Sequence, residues 1–315
     1  MPAPFFFLID FEQQNPLILP LDKAAEHGVF FDILGISNIS DMPPTPQALD
    51  TDCTDLVFDT SPMPMTAYEQ GFGYVQEQLQ QGNSYLVNLT YPTPIKTNLG
   101  LQDIFVRTAA PYRLYYKDKF VCFSPETFVK IADNTISTYP MKGTINAHLP
   151  HAHNTLLNSQ KETQEHYTIV DLMRNDLAMV ATDVQVAQFR YIDTIDTHHG
   201  QILQTSSHIT GTLPSDWRDD PLSVITPMLP AGSVSGAPKA KTLKIIEQAE
   251  GQPRGYYTGV FGIFDGSALY SAVAIRYIEQ TATGLQFRSG GGITSHSDCN
   301  DEYQELLDKV YVPIV

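Results

Sequence analysis

Tyr256-Tyr-Thr-Gly-Val-Phe-Gly-Ile-Phe-Asp-Gly-Ser-Ala-Leu-Tyr-Ser-Ala-Val-Ala-Ile-Arg-Tyr277 is the stretch from which the fold can be read. Two apolar runs, 256–264 and 268–277, flank Asp265-Gly266. Aromatic and β-branched residues suit a pleated, half-buried surface. Asp-Gly between such runs is a strong hairpin signal, because the tight turn needs positive φ. The stretch therefore predicts two antiparallel strands. Arg276 is the one charge in the second run. A guanidinium placed there must face water or a bound anion, and its fork suits a carboxylate.

Working outward, residues 5–11, 17–19 and 29–33 read as strands. So do 84–90, 113–116, 119–124, 128–132, 135–139 and 285–290, with Asn134 at a hairpin turn. Pro43, Pro44 and Pro46 mark a loop. Apolar residues at helical spacing predict helices over 65–81, 154–177, 221–229, 238–250 and 300–310. Gly82-Asn83 and Gly251 are stop signals, and Pro238 suits a first helical position. With no repeat, linker or low-complexity tract, residues 1–315 read as one intertwined α+β domain.

The chain has 315 residues, of which 42% are hydrophobic, enough for a large core. Its 35 acidic and 19 basic residues give a formal charge of −16. Such a chain repels polyanions, so neither nucleic acid nor an anionic membrane surface is expected as a partner. An anionic substrate then requires local cations or a metal. Cys53, Cys122 and Cys299 are scattered and odd in number, which reads as reduced thiols in a cytoplasmic protein. The apolar N-terminus lacks the basic start of a signal peptide, and no run is long enough to span a membrane.

Several constellations could carry chemistry. Met141-Lys142-Gly143-Thr144 follows a predicted strand and puts a lysine ahead of a glycine turn. Glu162 and Glu165 are three apart on one predicted helix, as are Glu302 and Glu305 on another, and Lys309 continues the latter face. Carboxylates converging from two helices would hold a hard cation, and Mg²⁺ fits oxygen ligands with waters retained. Gly290-Gly291-Gly292 could let backbone approach an anion, and Gly232-Ser233-Val234-Ser235-Gly236-Ala237-Pro238-Lys239 leads into a helix. His148, His151 and His153 sit in loop context, and His198-His199 has no matching ligand set. No GxSxG, Walker A or dinucleotide fingerprint occurs.

Together these motifs resemble the chorismate-utilising enzymes. The resemblance runs from about Gly82 to Val310, leaving about 80 residues as a shortened N-terminal subregion. It is carried by Met141–Thr144, by Glu165-His-Tyr-Thr-Ile-Val-Asp-Leu-Met-Arg-Asn-Asp-Leu177, and by Gly232–Lys239. Tyr257-Thr-Gly-Val-Phe-Gly262, Ala274-Ile-Arg276, Gly290-Gly-Gly-Ile293 and Glu302-Tyr-Gln-Glu-Leu-Leu-Asp-Lys309 complete it. The resemblance implies two packed, largely antiparallel sheets with helices outside and the active site between them. It implies Mg²⁺ on Glu165 and Glu305, with Glu162 and Glu302 in support, holding the ring carboxylate of chorismate. Gly291, Gly292 and Lys309 border that carboxylate. Arg276 and Tyr257 receive the enolpyruvyl carboxylate, and Gly143 and Ser233 face the substrate.

Within the family, the water-adding branches carry a lysine base at the position matching Leu86, and a leucine cannot deprotonate water. Lysine at position 142 resembles the aminodeoxychorismate synthases, whereas anthranilate synthases carry alanine there. The histidine linked to pyruvate elimination aligns with Gln204, although a shifted alignment would bring in His208. The resemblance thus implies amination of chorismate at ring carbon 4, with Lys142 as covalent nucleophile, for 4-aminobenzoate and folate synthesis. Glutamate carboxyls near the site and Thr144 are the candidates for the acid. The ammonia is expected from a separate glutamine amidotransferase subunit, since no such nucleophile motif occurs here. Anthranilate synthase component I and a non-catalytic scaffold of the same fold are the alternatives.

Overall fold

The computed structural model describes residues 2–44, 57–197 and 200–313. The hairpin forms as expected. Val260–Phe264 pairs antiparallel with Leu269–Val273, with Val260 opposite Val273. Asp265 closes the turn, its Oδ1 accepting the N–H groups of Ser267 and Ala268 at 2.7 Å each.

The second apolar run does not continue as one strand. It ends at Val273 and resumes as Tyr277–Thr281 in a different sheet. Arg276 lies at this crossing with φ +53°, not inside a strand. Apolar patterning reports burial, and both sheets bury this segment, so the pattern does not show the switch.

Two nine-stranded sheets result. The first runs Met141–Asn146, Gly200–Thr212, Thr135–Thr138, Thr127–Ala132, Leu269–Val273, Val260–Phe264, Phe5–Ile9, Leu17–Pro20, with Thr182–Thr197 also paired to Gly200–Thr212. The second runs Gly236–Ala237, Leu86–Thr97, Gly284–Ile293, Tyr277–Thr281, Phe120–Ser124, Tyr112–Tyr116, Val29–Ile33, Ile36–Ser37, with Phe58–Thr60 also paired to Leu86–Thr97. The recorded pairings are antiparallel.

Phe5–Ile9 shows how the layers stack, because side chains alternate along a strand. Phe6 and Leu8 join Phe31, Tyr257 and Tyr277 in a core between the sheets, and Phe6 stacks on Phe31 at 5.5 Å. Phe5, Phe7 and Ile9 join the opposite cluster with Ile169, Val170 and Met173 of the helix Gln160–Ala178. Met65–Gln80, Lys239–Glu250 and Cys299–Asp308 cover the second sheet through Tyr68, Phe72, Leu89, Ile245 and Leu306. The expected architecture, sheets inside and helices outside, is the observed one.

Several boundaries differ. The helix expected over 154–177 is two, Ala152–Asn158 and Gln160–Ala178, split at Ser159, whose hydroxyl oxygen accepts the Glu162 N–H at 3.3 Å. The strand expected over 84–90 runs Leu86–Thr97 through two prolines. The triple glycine is inside the strand Gly284–Ile293 and is not a loop after it. Pro238 caps its helix instead of opening it. The region expected as one helix over 221–229 is Pro221–Ile225 followed by a 3₁₀ turn. Cys122 and Cys299 are free thiols, as expected. Cys53, Pro46 and His198-His199 lie outside the described residues. Among those described, no helix is long and apolar enough to cross a membrane.

Candidate active site

Lys142 sits in a β-bulge. Met141 pairs with Ser206 and Thr144 with Gln204, so Lys142 and Gly143 together oppose Thr205 alone. Gly143 supplies the left-handed conformation, at φ +83°. The Thr205 hydroxyl donates to the Lys142 carbonyl. The bulge aims the lysine out of the first sheet. Its Nζ lies 3.4 Å from Glu165 Oε2 and 3.9 Å from where a Cβ on Gly292, in the second sheet, would stand.

Behind the bulge is His166, fully buried on the same helix as Glu165. Its Nε2 is 2.7 Å from Ser207 Oγ, and Ser207 N–H donates to the Pro140 carbonyl. Burial, with the Arg190 charge, pulls this imidazole down to about 4. It is therefore neutral near pH 7.

A cavity of about 310 Å³ opens between the sheets. Lys142, Gly143, Thr144, Ser233, Tyr257, Arg276, Gly291, Gly292 and Lys309 all line it, together with Glu305. Every residue expected to act on or bind the substrate is thus brought to one place. Lys309 Nζ donates to the Gly290 carbonyl at 2.7 Å and to Glu305 Oε1 at 2.6 Å. Burial pushes its ammonium below the ordinary range, against the pull of Glu305. Tyr257 is buried and its phenol is pushed up to about 12, although Arg254, Arg288 and Arg276 oppose the shift. Arg276 donates from Nη1 to the Lys309 carbonyl at 2.9 Å, and its guanidinium lies 4.8 Å from the Tyr311 ring centre.

The four carboxylates are less tightly gathered than the helical spacing suggested. Among the described residues, no three His, Cys, Asp or Glu side chains form one ready ligand group. Glu305 lines the cavity; Glu162, Glu165 and Glu302 do not. Two glycines nevertheless make room for Glu162 on one helix and for Glu302 and Glu305 on the other. A Cβ on Gly143 would stand 2.8 Å from Glu162 Oε2, and one on Gly291 would stand 3.1 Å from Glu305 Oε1 and 3.3 Å from Glu302 Oε2. A donor set of carboxylate oxygens on two cradled helices suits Mg²⁺. That ion takes one or two carboxylates and completes its shell with water and substrate oxygen.

The sequence reading missed Glu126. Its carboxyl lines the cavity and receives the Ser233 hydroxyl on Oε1. Burial raises its pKa, against the Ser233 hydrogen bond and the Lys142 and Lys309 charges. A carboxyl whose protonated form is favoured by burial, in the same cavity as Lys142, is placed to be an acid. The available signal was an acidic residue in Ser124-Pro125-Glu126-Thr127, between two apolar strands. Thr144, by contrast, is exposed, and its hydroxyl meets the Gln204 amide only at 3.5 Å.

Leu86 lines the cavity, its Cδ1 lying 3.1 Å from the Cβ position of Gly292. Gln204 lines it too. His208 does not line it; it stacks at 4.7 Å on Tyr139, which does, and meets Ser137 Oγ at 3.2 Å.

The profile of the family described as chorismate binding enzyme matches residues 37–314. An uncharacterized PabA-like protein of Haemophilus influenzae is 60% identical over 312 residues, 99% of this chain and 93% of that one. Aminodeoxychorismate synthase component 1 of Salmonella typhimurium is 32% identical over 266 residues, 79% of this chain and 57% of that enzyme. Anthranilate synthase component I of Streptococcus pneumoniae has a similar structure, with a TM-score of 0.71 and 25% identity over 85% of this chain and 61% of that one. Since the matched span takes in every wall of the cavity, the chain belongs to the chorismate binding enzyme family.

Proposed function

We propose that this chain aminates chorismate at ring carbon 4, giving 4-amino-4-deoxychorismate. The observation that carries the reading is Lys142, aimed by its bulge across the cleft toward Gly292. Leu86 stands at the same end of the cavity and offers no base for activating water. Gln204, which lines the cavity, aligns with the family's elimination histidine, and a glutamine does not exchange protons at neutral pH.

Amination with retention at one carbon requires two displacements. Lys142 Nζ gives up its ammonium proton to solvent and then attacks carbon 2. The ring double bond shifts, the carbon 4–oxygen bond breaks, and the hydroxyl leaves as water with the Glu126 proton. Ammonia then attacks carbon 4, the double bond shifts back, and the carbon 2–Nζ bond breaks, returning its electron pair to Lys142. Glu126 takes back the proton that ammonia sheds. Ser233 holds the Glu126 carboxyl in place. Arg276 and Tyr257 orient the enolpyruvyl carboxylate, while Lys309 and the Gly291-Gly292 backbone border the ring carboxylate. Glu165 and Glu305, supported by Glu162 and Glu302, would hold Mg²⁺, whose chemistry is to neutralise that carboxylate. A separate glutamine amidotransferase subunit supplies the ammonia, and the product serves 4-aminobenzoate and folate synthesis.

The test is product analysis with chorismate, Mg²⁺ and an ammonium salt. The expected product is 4-amino-4-deoxychorismate, trapped as 4-aminobenzoate by an added lyase. Anthranilate would overturn the Lys142 and Gln204 assignments. No chorismate binding, with or without Mg²⁺, would favour a scaffold.

A further inference from the structure

Arg288 lies on the cavity-lining strand Gly284–Ile293. Residues at alternate positions of a strand share a face, so Arg288, Gly290 and Gly292 form one row. Gly292 ends the row beside Lys142. Four residues at the usual strand rise put Arg288 about 13 Å from that end. There it is paired across the sheet with Tyr277, and its guanidinium lies 5.1 Å from the ring centre of Tyr257.

The side chain is 5% exposed. Nη1 donates to Glu279 Oε1 at 3.1 Å, but Nε and Nη2 have no acceptor among the described residues. Buried, unpaired donors on a charged group are costly, and a fold keeps them where something supplies the missing acceptor. Glu279 pairs with the charge through Nη1 but leaves the Nε and Nη2 N–H groups to be met by another acceptor. An anion drawn into this end of the cavity would satisfy the rest. Arg288 and Arg276 both act on the Tyr257 phenol, so two guanidinium groups serve one end of the cleft.

We propose that Arg288 is the second guanidinium of the enolpyruvyl-carboxylate end, completing with Arg276 and Tyr257 a site that selects ligands bearing a second carboxylate. This rests on the reading of the cavity as a chorismate site. It adds a discriminating function: a ring with one carboxylate satisfies the Lys309 end alone and leaves Nε and Nη2 of Arg288 without an acceptor. Rejection of a ligand that lacks the matching group is the strong form of selectivity in buried polar sites.

The test compares equilibrium binding of chorismate and of 4-hydroxybenzoate, which has the ring carboxylate only, in Mg²⁺ buffer. Arg288→Gln is expected to weaken chorismate binding about tenfold or more and to leave 4-hydroxybenzoate unchanged. Arg288→Lys, which keeps the charge but not the fork, is expected to lose less, again for chorismate alone. If Arg288→Gln does not fold, the Lys variant carries the same comparison. Equal weakening of both ligands would show a structural residue and overturn the proposal, as would unchanged chorismate binding. Wild-type protein that binds neither ligand would instead overturn the chorismate site, and the Arg288 assignment with it.

Discussion

Lys142 Nζ stands 3.4 Å from Glu165 Oε2, so the proposed nucleophile and a proposed metal ligand form an ion pair in the free protein. The contact joins the bulge of the first sheet to the helix Gln160–Ala178. Both side chains are partly open to solvent, so the pair adds little to stability and its weight is in positioning.

Replacing Lys142 by Ala removes the attacking amine while leaving the bulge, which Gly143 and Thr205 hold through the backbone. Amination at carbon 4 should fall by about a thousandfold or more, and chorismate should still bind. Rapid-quench product analysis with a parallel binding measurement reads both. A variant that still aminates at the wild-type rate rules out the covalent route.

What was legible beforehand followed local chemistry. Asp265-Gly266 marks its hairpin because a turn needs particular residues, and the ExxE pairs can be seen because a helix fixes their spacing. What was hidden depends on long-range pairing. Arg276 reads as a strand residue until the chain is seen to change sheets beside it. The hairpin Thr182–Thr197 with Gly200–Thr212 is rich in Thr, Gln and Asp, and its partly exposed faces give no clear alternation to find. Glu126 and Arg288 gain their meaning from the cavity that they line, which single residues between apolar neighbours do not announce.

Glu126 carries a prediction with two signs. Glu126→Gln should lower kcat about a hundredfold, since the leaving hydroxyl loses its proton donor. In the wild type, kcat should fall as pH rises through the raised pKa of this carboxyl. The same shift bears on stability. A carboxyl whose pKa is higher in the folded than in the unfolded state favours folding below the ordinary glutamate value, and that contribution is lost as pH rises through the folded value. Glu126→Gln should therefore melt higher than wild type near neutral pH, with the gap closing near pH 4. Calorimetric melting curves at the two pH values read it, and a variant less stable at both would remove the buried acid from the account.

His166 predicts the opposite pH trend. Its imidazole is neutral when folded, with a pKa of about 4, and titrates at its ordinary value when unfolded. Its contribution is fully present above about 6.5 and is lost as pH falls toward 4. The full difference is about 3 kcal/mol by the usual conversion. Urea denaturation should show the wild type losing stability between pH 7 and 5, with a smaller loss in His166→Gln. Parallel losses in the two proteins would mean that other groups set the acid limit.

Gly143 tests whether the bulge and the first carboxylate pair work as one unit. An alanine there would be strained at φ +83°, and its methyl would press on Glu162 Oε2 at 2.8 Å and on Leu156 Cδ1 at 3.2 Å. Left-handed backbone costs a non-glycine residue about 1–2 kcal/mol, and the contact with Glu162 adds to it. The helix backbone resists, so the relief must come from the carboxylate and from the lysine next to the glycine. Gly143→Ala should therefore raise the Mg²⁺ concentration needed for half-maximal activity and lower kcat together. Glu305→Gln, acting on the other helix, should raise only the Mg²⁺ requirement. Activity that is indifferent to Mg²⁺ in both variants and in the wild type would remove the metal from the site. A Gly143→Ala enzyme with a normal Mg²⁺ requirement and low kcat would confine the damage to Lys142.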